Sequence, residues 1–365
     1  MQMKRLVLAS ALGVGAIGAL LLGGQSSAVP EPSVLDPLFA ADQGDARAAL
    51  IHVAGQAPIK RYGAGYSDKT RFISWSMAKS VTALLIGELV ADGKLSLDAP
   101  VPFAEWQKPG DPRAAITLRQ MLQMSSGIDH TENYALDDGS AKPKKSDTTA
   151  ILFVDGTQDM AARALSKELE SKPGSTYEYS SMTSLLLSEL ITRQLTDSQD
   201  PKTRAQAYKA FAEERLFGPA GIKDAVMEFD GAGTQIGGSL IYMTLDDWGR
   251  FGDILLGGKG VDGTQAIAPD WLTFMQTPAA TDANYGGHVW LNRKRPDGRT
   301  QVLFPGQGPD TIFAASGHLG QSVIVSPDQG VVLVRLGKND EAARDPVNEA
   351  LGKIMAGFPV TNRGH

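Results

Sequence analysis

Three short groups of residues along this chain supply the parts of acyl-transfer chemistry. Ser76 and Lys79 stand three residues apart in Ser76-Met77-Ala78-Lys79. Tyr179 opens Tyr179-Ser180-Ser181, and His318-Leu319-Gly320 comes later in the chain. A hydroxyl becomes a nucleophile when a neighbouring base takes its proton. On a helix, residues three apart share a face, so Ser76 and Lys79 can meet. Where a loop gives way to a helix, unpaired N–H groups and positive potential gather. The N–H of Ser76 could there hold a developing oxyanion. The same potential, together with burial, disfavours an ammonium. A lysine acting as base near neutrality must come down from about 10.4 to near 7, about 4 kcal/mol of environmental bias.

Each group alone has a plainer reading. Ser76 could cap a helix with a solvated lysine beside it, Tyr179 could be a core tyrosine, and His318-Leu319-Gly320 could be a turn. A single S-x-x-K is also what chance supplies. Order and surroundings separate the two readings. Phe72 and Trp75 before Ser76, with Val81, Leu84 and Leu85 after it, predict a helix buried on several faces, which gives Lys79 few routes to water. Tyr179 sits in a loop before a helix and could share a proton with Lys79 or a leaving group. Gly320 precedes a strand and could let a substrate approach its backbone closely.

Composition narrows the classes. The chain has 365 residues, a formal charge of −6, 21% charged and 42% hydrophobic residues, which is globular and gives no support for nucleic-acid binding. It has no cysteine, which rules out disulfides, thiolate catalysis and cysteine-based metal sites. His52, His130, His288, His318 and His365 are scattered, so no metal site is expected and no cofactor is implied. His130 reads as a surface histidine. Arg293-Lys294-Arg295 before Pro296-Asp297-Gly298 reads as a hairpin tip. G-x-S-x-G and H-E-x-x-H are absent.

The first 28 residues read as a secretory signal. Lys4 and Arg5 precede an apolar run to Gly24, and Ser26-Ser27-Ala28 offers a cleavage site after Ala28. The run also has the length of a bilayer span, so an uncleaved anchor stays open. Gly13-x-Gly15-x-x-Gly18 matches a dinucleotide fingerprint but follows no strand. The expected location is periplasmic or secreted, with a membrane-anchored form as the alternative.

The elements that would position the three groups fall in a simple order. Ala49 to Val53 and Ile59 to Tyr62 predict a hairpin, and Gln321 to Val325 with Val331 to Leu336 predict a second around Pro327-Asp328-Gln329-Gly330. Pro346 to Met355 predicts a closing helix. Between these ends the period is helical, over Met77 to Ala91, Leu118 to Met124 with a Thr117/Gln120 capping box, Met182 to Leu195, Ala205 to Leu216 and Leu245 to Leu256. Asp137 to Thr149 reads as an exposed loop. The expectation is an α/β chain over 29–365. One antiparallel sheet comes from N- and C-terminal strands (44–75 plus 285–365), with a mainly helical lobe inserted (76–284).

In this order, S-x-x-K, Y-x-[NS] and [KH]-x-G resemble the penicillin-recognising serine hydrolases, which include class C β-lactamases, D-alanyl-D-alanine peptidases, family VIII esterases and 6-aminohexanoate-dimer hydrolases. The likeness extends to SMAKSVTALLIG from Ser76, ITLRQMLQMSSG from Ile116, GGSLIYMTLDDWGRFG from Gly237, YGGHVWLN from Tyr285 and GHLGQ from Gly317. It implies the β-lactamase/penicillin-binding-protein-like fold. It also implies Ser76 as nucleophile, with Lys79 and Tyr179 as coupled general bases and acids. The oxyanion hole it implies is the N–H of Ser76 plus that of Gln321. Two positions depart from the β-lactamase pattern. Ser181 stands where those enzymes mostly carry Asn, and His318 where they mostly carry Lys to pair with a carboxylate. A histidine is largely neutral at pH 7. The expected function is therefore cleavage of a small-molecule ester or amide. The alternatives are a true β-lactamase or D-alanyl-D-alanine carboxypeptidase, and a catalytically silent binding protein of the same fold.

Overall fold

The computed structural model describes residues 31–40, 42–132, 146–154, 156–295, 301–340 and 342–361. The N-terminal signal expectation, residues 137–145 of the expected loop and the 296–298 turn of the expected hairpin tip lie outside them.

The chain ends build one antiparallel sheet, as the apolar runs and turn residues of the two expected hairpins predict. Its strands are β1 (Asp45–Val53), β2 (Ile59–Tyr62), β6 (Trp290–Leu291), β7 (Phe313–Gly317), β8 (Gln321–Ser326) and β9 (Val331–Lys338). They lie in the order β2-β1-β9-β8-β7-β6, so the first long strand pairs directly with the last. Alternate side chains feed two cores. Ala48 and Leu50 of β1, with Val332 and Val334 of β9, face the larger core. Ala49 and Ile51, with Val331 and Leu333, face a smaller one closed by the short helix Pro32–Phe39 and by the final helix. A second, three-stranded sheet pairs β3 (Phe72–Ile73), β5 (Ile241–Met243) and β4 (Val226–Met227) in the order β3-β5-β4. Strands of two or three residues are too short to show a period, so the sequence gives no sign of it.

The helices are α1 (Ala78–Ala91), α2 (Leu118–Leu122), α3 (Asp147–Phe153), α4 (Met160–Leu165), α5 (Ser181–Leu195), α6 (Pro201–Ala212), α7 (Gly218–Ala220), α8 (Leu245–Gly257), α9 (Pro269–Gln276) and α10 (Arg344–Ala356). The Thr117/Gln120 capping box forms as expected. α1 is buried on nearly every face, with α5, the Trp75–Met77 turn and the Glu213–Phe217 turn packed around it. α8 packs on β1, β8 and β9, although it lies within 76–284; the chain returns to the sheet earlier than its helical period suggested. Glycine makes that contact possible. A Cβ at Gly249 or Gly252 would run into Leu50 and Val332 of the sheet. α3 starts at Asp147 with Ser146 as its cap, so the end of the expected loop is helical. Just before the 296–298 turn, the Arg295 side chain lies over Trp290 and pairs with Asp282 at 2.9 Å.

Candidate active site

Ser76 lies in a single tight turn, Trp75–Met77, that runs straight into α1. The turn is pinned from behind. The Ser74 hydroxyl donates to Ser239 O at 2.9 Å and accepts from the Ile241 N–H at 3.1 Å. Trp75 is held at φ 42°, a left-handed value that costs a non-glycine residue free energy and recurs at functional turns.

Lys79, on the first turn of α1, has 1% of its surface exposed. Its Nζ lies 3.1 Å from Ser76 Oγ, 2.9 Å from Ser181 Oγ and 2.8 Å from Gly238 O. Burial brings its pKa down to about 8, against an opposing pull from the Glu132 carboxylate. The amine is therefore placed and tuned to exchange a proton with Ser76. Tyr179 stands just before α5, with its phenol ring 4.9 Å from Lys79 Nζ, and shares the wall of one cavity with Ser76. Burial, helped by the charge of Glu132, pushes that phenol far above its usual pKa, so it is a proton donor at neutral pH. Its ring stacks on Trp290 and meets Tyr285 edge-on, with centroids 5.4 and 5.9 Å away, which fixes the phenol's direction.

The hydroxyl of Ser76 opens into a cavity of about 500 Å³. Glu132, Tyr179, Ser181, Ser316 and His318 supply polar wall, and Leu152, Phe153, Trp290 and Val302 supply an apolar side. A larger hollow of about 670 Å³ lies in the helical lobe, but it holds no nucleophile beside a base, and its Arg193 and Arg204 are paired with Glu105 and Glu189. No group of three or more metal-ligating side chains occurs among the described residues.

Four of the expected residues thus gather around the cavity with Ser76: Lys79, Tyr179, Ser181 and His318. Gly320 and Gln321 do not. They line a neighbouring hollow of about 620 Å³ across the β7–β8 turn. Gln321 pairs with Gly317 across that turn, and its side-chain amide is used on His318 O, Leu319 O and Gly337. Gly320 serves the turn itself. It has φ 82°, and a Cβ there would press on Asn339 and Arg335. The strand edge beside Ser76 is β7. β6 pairs only with Phe313 and Ala314, which leaves Ala315 to Gly317 open toward the nucleophile turn. Gly317 is the glycine that permits the approach, since a Cβ there would meet Ser74 O and Trp75 Cβ. His318 sits edge-on to Trp75 at 5.4 Å, and burial lowers its pKa, so the ring is neutral near pH 7.

Sequence reasoning missed Glu132. Its carboxylate caps α5, accepting the Ser181 N–H at 2.8 Å, and also accepts the Ser181 hydroxyl at 2.7 Å and Thr148 Oγ1 at 2.9 Å. Burial alone would raise its pKa; the hydrogen bond from His130, the charges of Lys79 and His130 and the bond from Ser181 outweigh it and hold the value at about 2. His130, expected on the surface, is 2% exposed, with Nε2 2.6 Å from Glu132. A lone Glu in a loop carries no spacing signal, since its partners come from α3, α5 and the 130 loop. Gly238 belongs to the GGSLIYMTLDDWGRFG stretch, and its carbonyl proves to be an acceptor for Lys79.

Among solved structures, the chain resembles a candidate 6-aminohexanoate-dimer hydrolase from Bacillus anthracis, with a TM-score of 0.68, 17% identity and coverage of 90% of this chain and 82% of that one. It also resembles a D-stereospecific amidohydrolase from Streptomyces sp. (TM-score 0.60, 19% identity, coverage 88% and 98%). A penicillin-binding protein homologue from Caulobacter crescentus gives a TM-score of 0.62 at 17% identity, with coverage of 89% and 98%. Identities this low carry the fold and nothing finer. No curated protein matches the chain. The Beta-lactamase family model matches residues 38–353, nearly all of the described chain. With a sheet built from both chain ends and a serine beside a buried lysine between it and the helices, this chain belongs to the Beta-lactamase family.

Proposed function

We propose that the protein is a serine hydrolase that cleaves a small-molecule ester or amide through a Ser76 acyl-enzyme. One observation carries this reading: Lys79 Nζ stands 3.1 Å from Ser76 Oγ in a site that brings its pKa to about 8. In the acylation step the Ser76 O–H proton passes to Lys79 as Oγ bonds to the substrate carbonyl carbon. The carbonyl π pair moves to oxygen. The N–H of Ser76 and the main-chain amide of His318, at the open end of β7, are the donors we assign to that oxygen, in place of Gln321. Collapse expels the leaving group, which takes its proton from Lys79 through the Tyr179 phenol. A water then repeats the sequence on the acyl ester.

The charge of the cavity favours an ester or amide without a carboxylate at the β-lactam position. Apart from Lys79, held behind Ser76, no Lys or Arg lies among the described residues around it, His318 is neutral, and Glu132 contributes a negative charge. Nitrocefin turnover well above that of simple esters would reverse this preference. The N-terminal segment supports export to the periplasm or beyond, which N-terminal sequencing of the exported protein tests.

The primary test is hydrolysis of p-nitrophenyl acetate and butyrate by the purified protein and by Ser76→Ala. The expected result is at least a 10³-fold loss in the variant, with an acyl adduct on Ser76 in the wild type by intact mass. Full activity in Ser76→Ala would exclude the mechanism. A wild type that turns over no ester, amide or β-lactam would favour the silent binding protein.

A further inference from the structure

A lysine that acts as a base must aim a lone pair at the proton it takes. Lys79 has three neighbours, and a neutral amine has only two N–H groups and one lone pair. Which neighbour receives the lone pair depends on the proton positions around it. Gly238 O can only accept, so it takes one N–H. Ser181 Oγ can accept or donate, depending on how its hydroxyl turns.

Glu132 decides that rotor. The Ser181 hydroxyl is 2.7 Å from Glu132 Oε1, and the Ser181 N–H is 2.8 Å from Oε2. An ionised carboxylate is acceptor-only, so the one hydroxyl proton of Ser181 must point to Glu132. Its lone pairs then face Lys79 at 2.9 Å, and the second N–H of the amine is used there. The remaining direction is Ser76 Oγ at 3.1 Å. We propose that Glu132 is a positioning residue, which locks the Ser181 hydroxyl so that the free amine of Lys79 directs its lone pair at Ser76. This rests on the acyl-enzyme reading above and adds to it a reason for the Glu132–Ser181 pair. When Ser76 Oγ–H breaks and its proton joins that lone pair, the new ammonium already has acceptors in Ser181, Gly238 and the bonded Oγ. The Glu132 charge, one hydroxyl away, stabilises it.

Glutamine at 132 tests the lock, because the backbone sets its orientation. The Ser181 N–H requires an oxygen at the Oε2 position, which places the amide NH₂ opposite Ser181 Oγ. That NH₂ donates, and the Ser181 proton is turned toward Lys79, where it occupies the lone pair. In the full-length protein, Glu132→Gln is expected to lower kcat for p-nitrophenyl butyrate about a hundredfold, with KM within threefold. The rate of Ser76 labelling by a fluorophosphonate, read by intact mass, should fall in parallel. Ser181→Ala should lose about tenfold, since the lone pair is then unguided but not blocked. The Glu132→Gln/Ser181→Ala double variant should be more active than Glu132→Gln alone, because the misdirected hydroxyl is gone. A carboxylate that merely anchors the 130 loop would instead make the double variant no better than the worse single one, with melting temperature falling in step with activity. That result, or wild-type kcat in Glu132→Gln, overturns the proposal. If Glu132→Gln does not fold, Ser181→Thr replaces it. Threonine keeps the hydroxyl and should restore the activity that Ser181→Ala loses, and equal kcat in the alanine variant and the wild type refutes the lock. Failure of the underlying mechanism looks different: the wild type itself would not be labelled at Ser76.

Discussion

Replacing Gly317 with alanine separates the strand that serves the nucleophile from the strand the sequence pointed to. A Cβ at Gly317 would lie 2.3 Å from Ser74 O and 3.2 Å from Trp75 Cβ. Carbon–oxygen contacts settle near about 3.3 Å, so the end of β7 and the Ser74–Ser76 turn must part by about 1 Å. Neither side yields easily, because Ser74 is bonded on both sides to the Ser239–Ile241 segment and β7 is paired along β8. A misplacement of about 1 Å at a reacting centre costs about a hundredfold in rate. Gly317→Ala should therefore lower kcat/KM for p-nitrophenyl butyrate about a hundredfold, with only a modest fall in melting temperature. Gly320→Ala should show the reverse. It strains a φ of 82° and crowds Asn339 and Arg335, so it unsettles the turn more than the chemistry. Gly257, where an added methyl would meet nothing within 4 Å, is the control and should tolerate alanine on both counts. Activity retained in Gly317→Ala but lost in Gly320→Ala at unchanged stability would refute β7 as the substrate-facing edge and restore Gln321 as the oxyanion donor.

Three further outcomes follow from buried charges. With Lys79 brought to about 8, kcat/KM should rise with pH and level off above about pH 8, and a stopped-flow pH series on a rapid ester reads the limb directly. Arg335 is fully buried and donates to Gly320 O, Gln43 O and Asn339 Oδ1 at 2.6–2.8 Å, so Arg335→Met should cost about 3 kcal/mol in urea unfolding by stranding those acceptors. His288 is buried between Leu122 O at 2.7 Å and Ser184 Oγ at 3.1 Å, and burial lowers its pKa from 6.5 to about 3. A depressed folded pKa means that the unfolded chain takes up the proton first. Stability from this site is full above about pH 6.5 and declines as pH falls toward 3, by about 2 kcal/mol at pH 5. His288→Gln should remove that part of the slope in unfolding curves taken between pH 7 and 5; an unaltered slope would place the acid sensitivity elsewhere.

Much of this architecture was written locally. The apolar runs Ala49 to Val53 and Val331 to Leu336, the turn residues between β8 and β9, the Thr117/Gln120 box and the helical period of α1 and α8 are patterns of neighbouring residues, and neighbours determine them. So is the pairing of Ser76 with Lys79, because one helical turn fixes it. Tyr179 joined them through the order of motifs, not through any spacing. What the sequence could not carry are contacts made across the fold. β7 and β6 are short, and Ala315-Ser316-Gly317 has no alternation to mark it, so the neighbouring, better-marked β8 drew the oxyanion assignment to Gln321. Ser181 reads as a residue that meets substrate until Glu132, 49 positions away, is found to accept its hydroxyl proton. Glu132 and His130 carry no periodicity, and only the folding of the 130 loop onto the N-terminus of α5 turns an ordinary acidic residue into the charge beside Lys79. A one-dimensional pattern reports which face of an element is buried; which polar group lies across that buried face is settled when the elements pack.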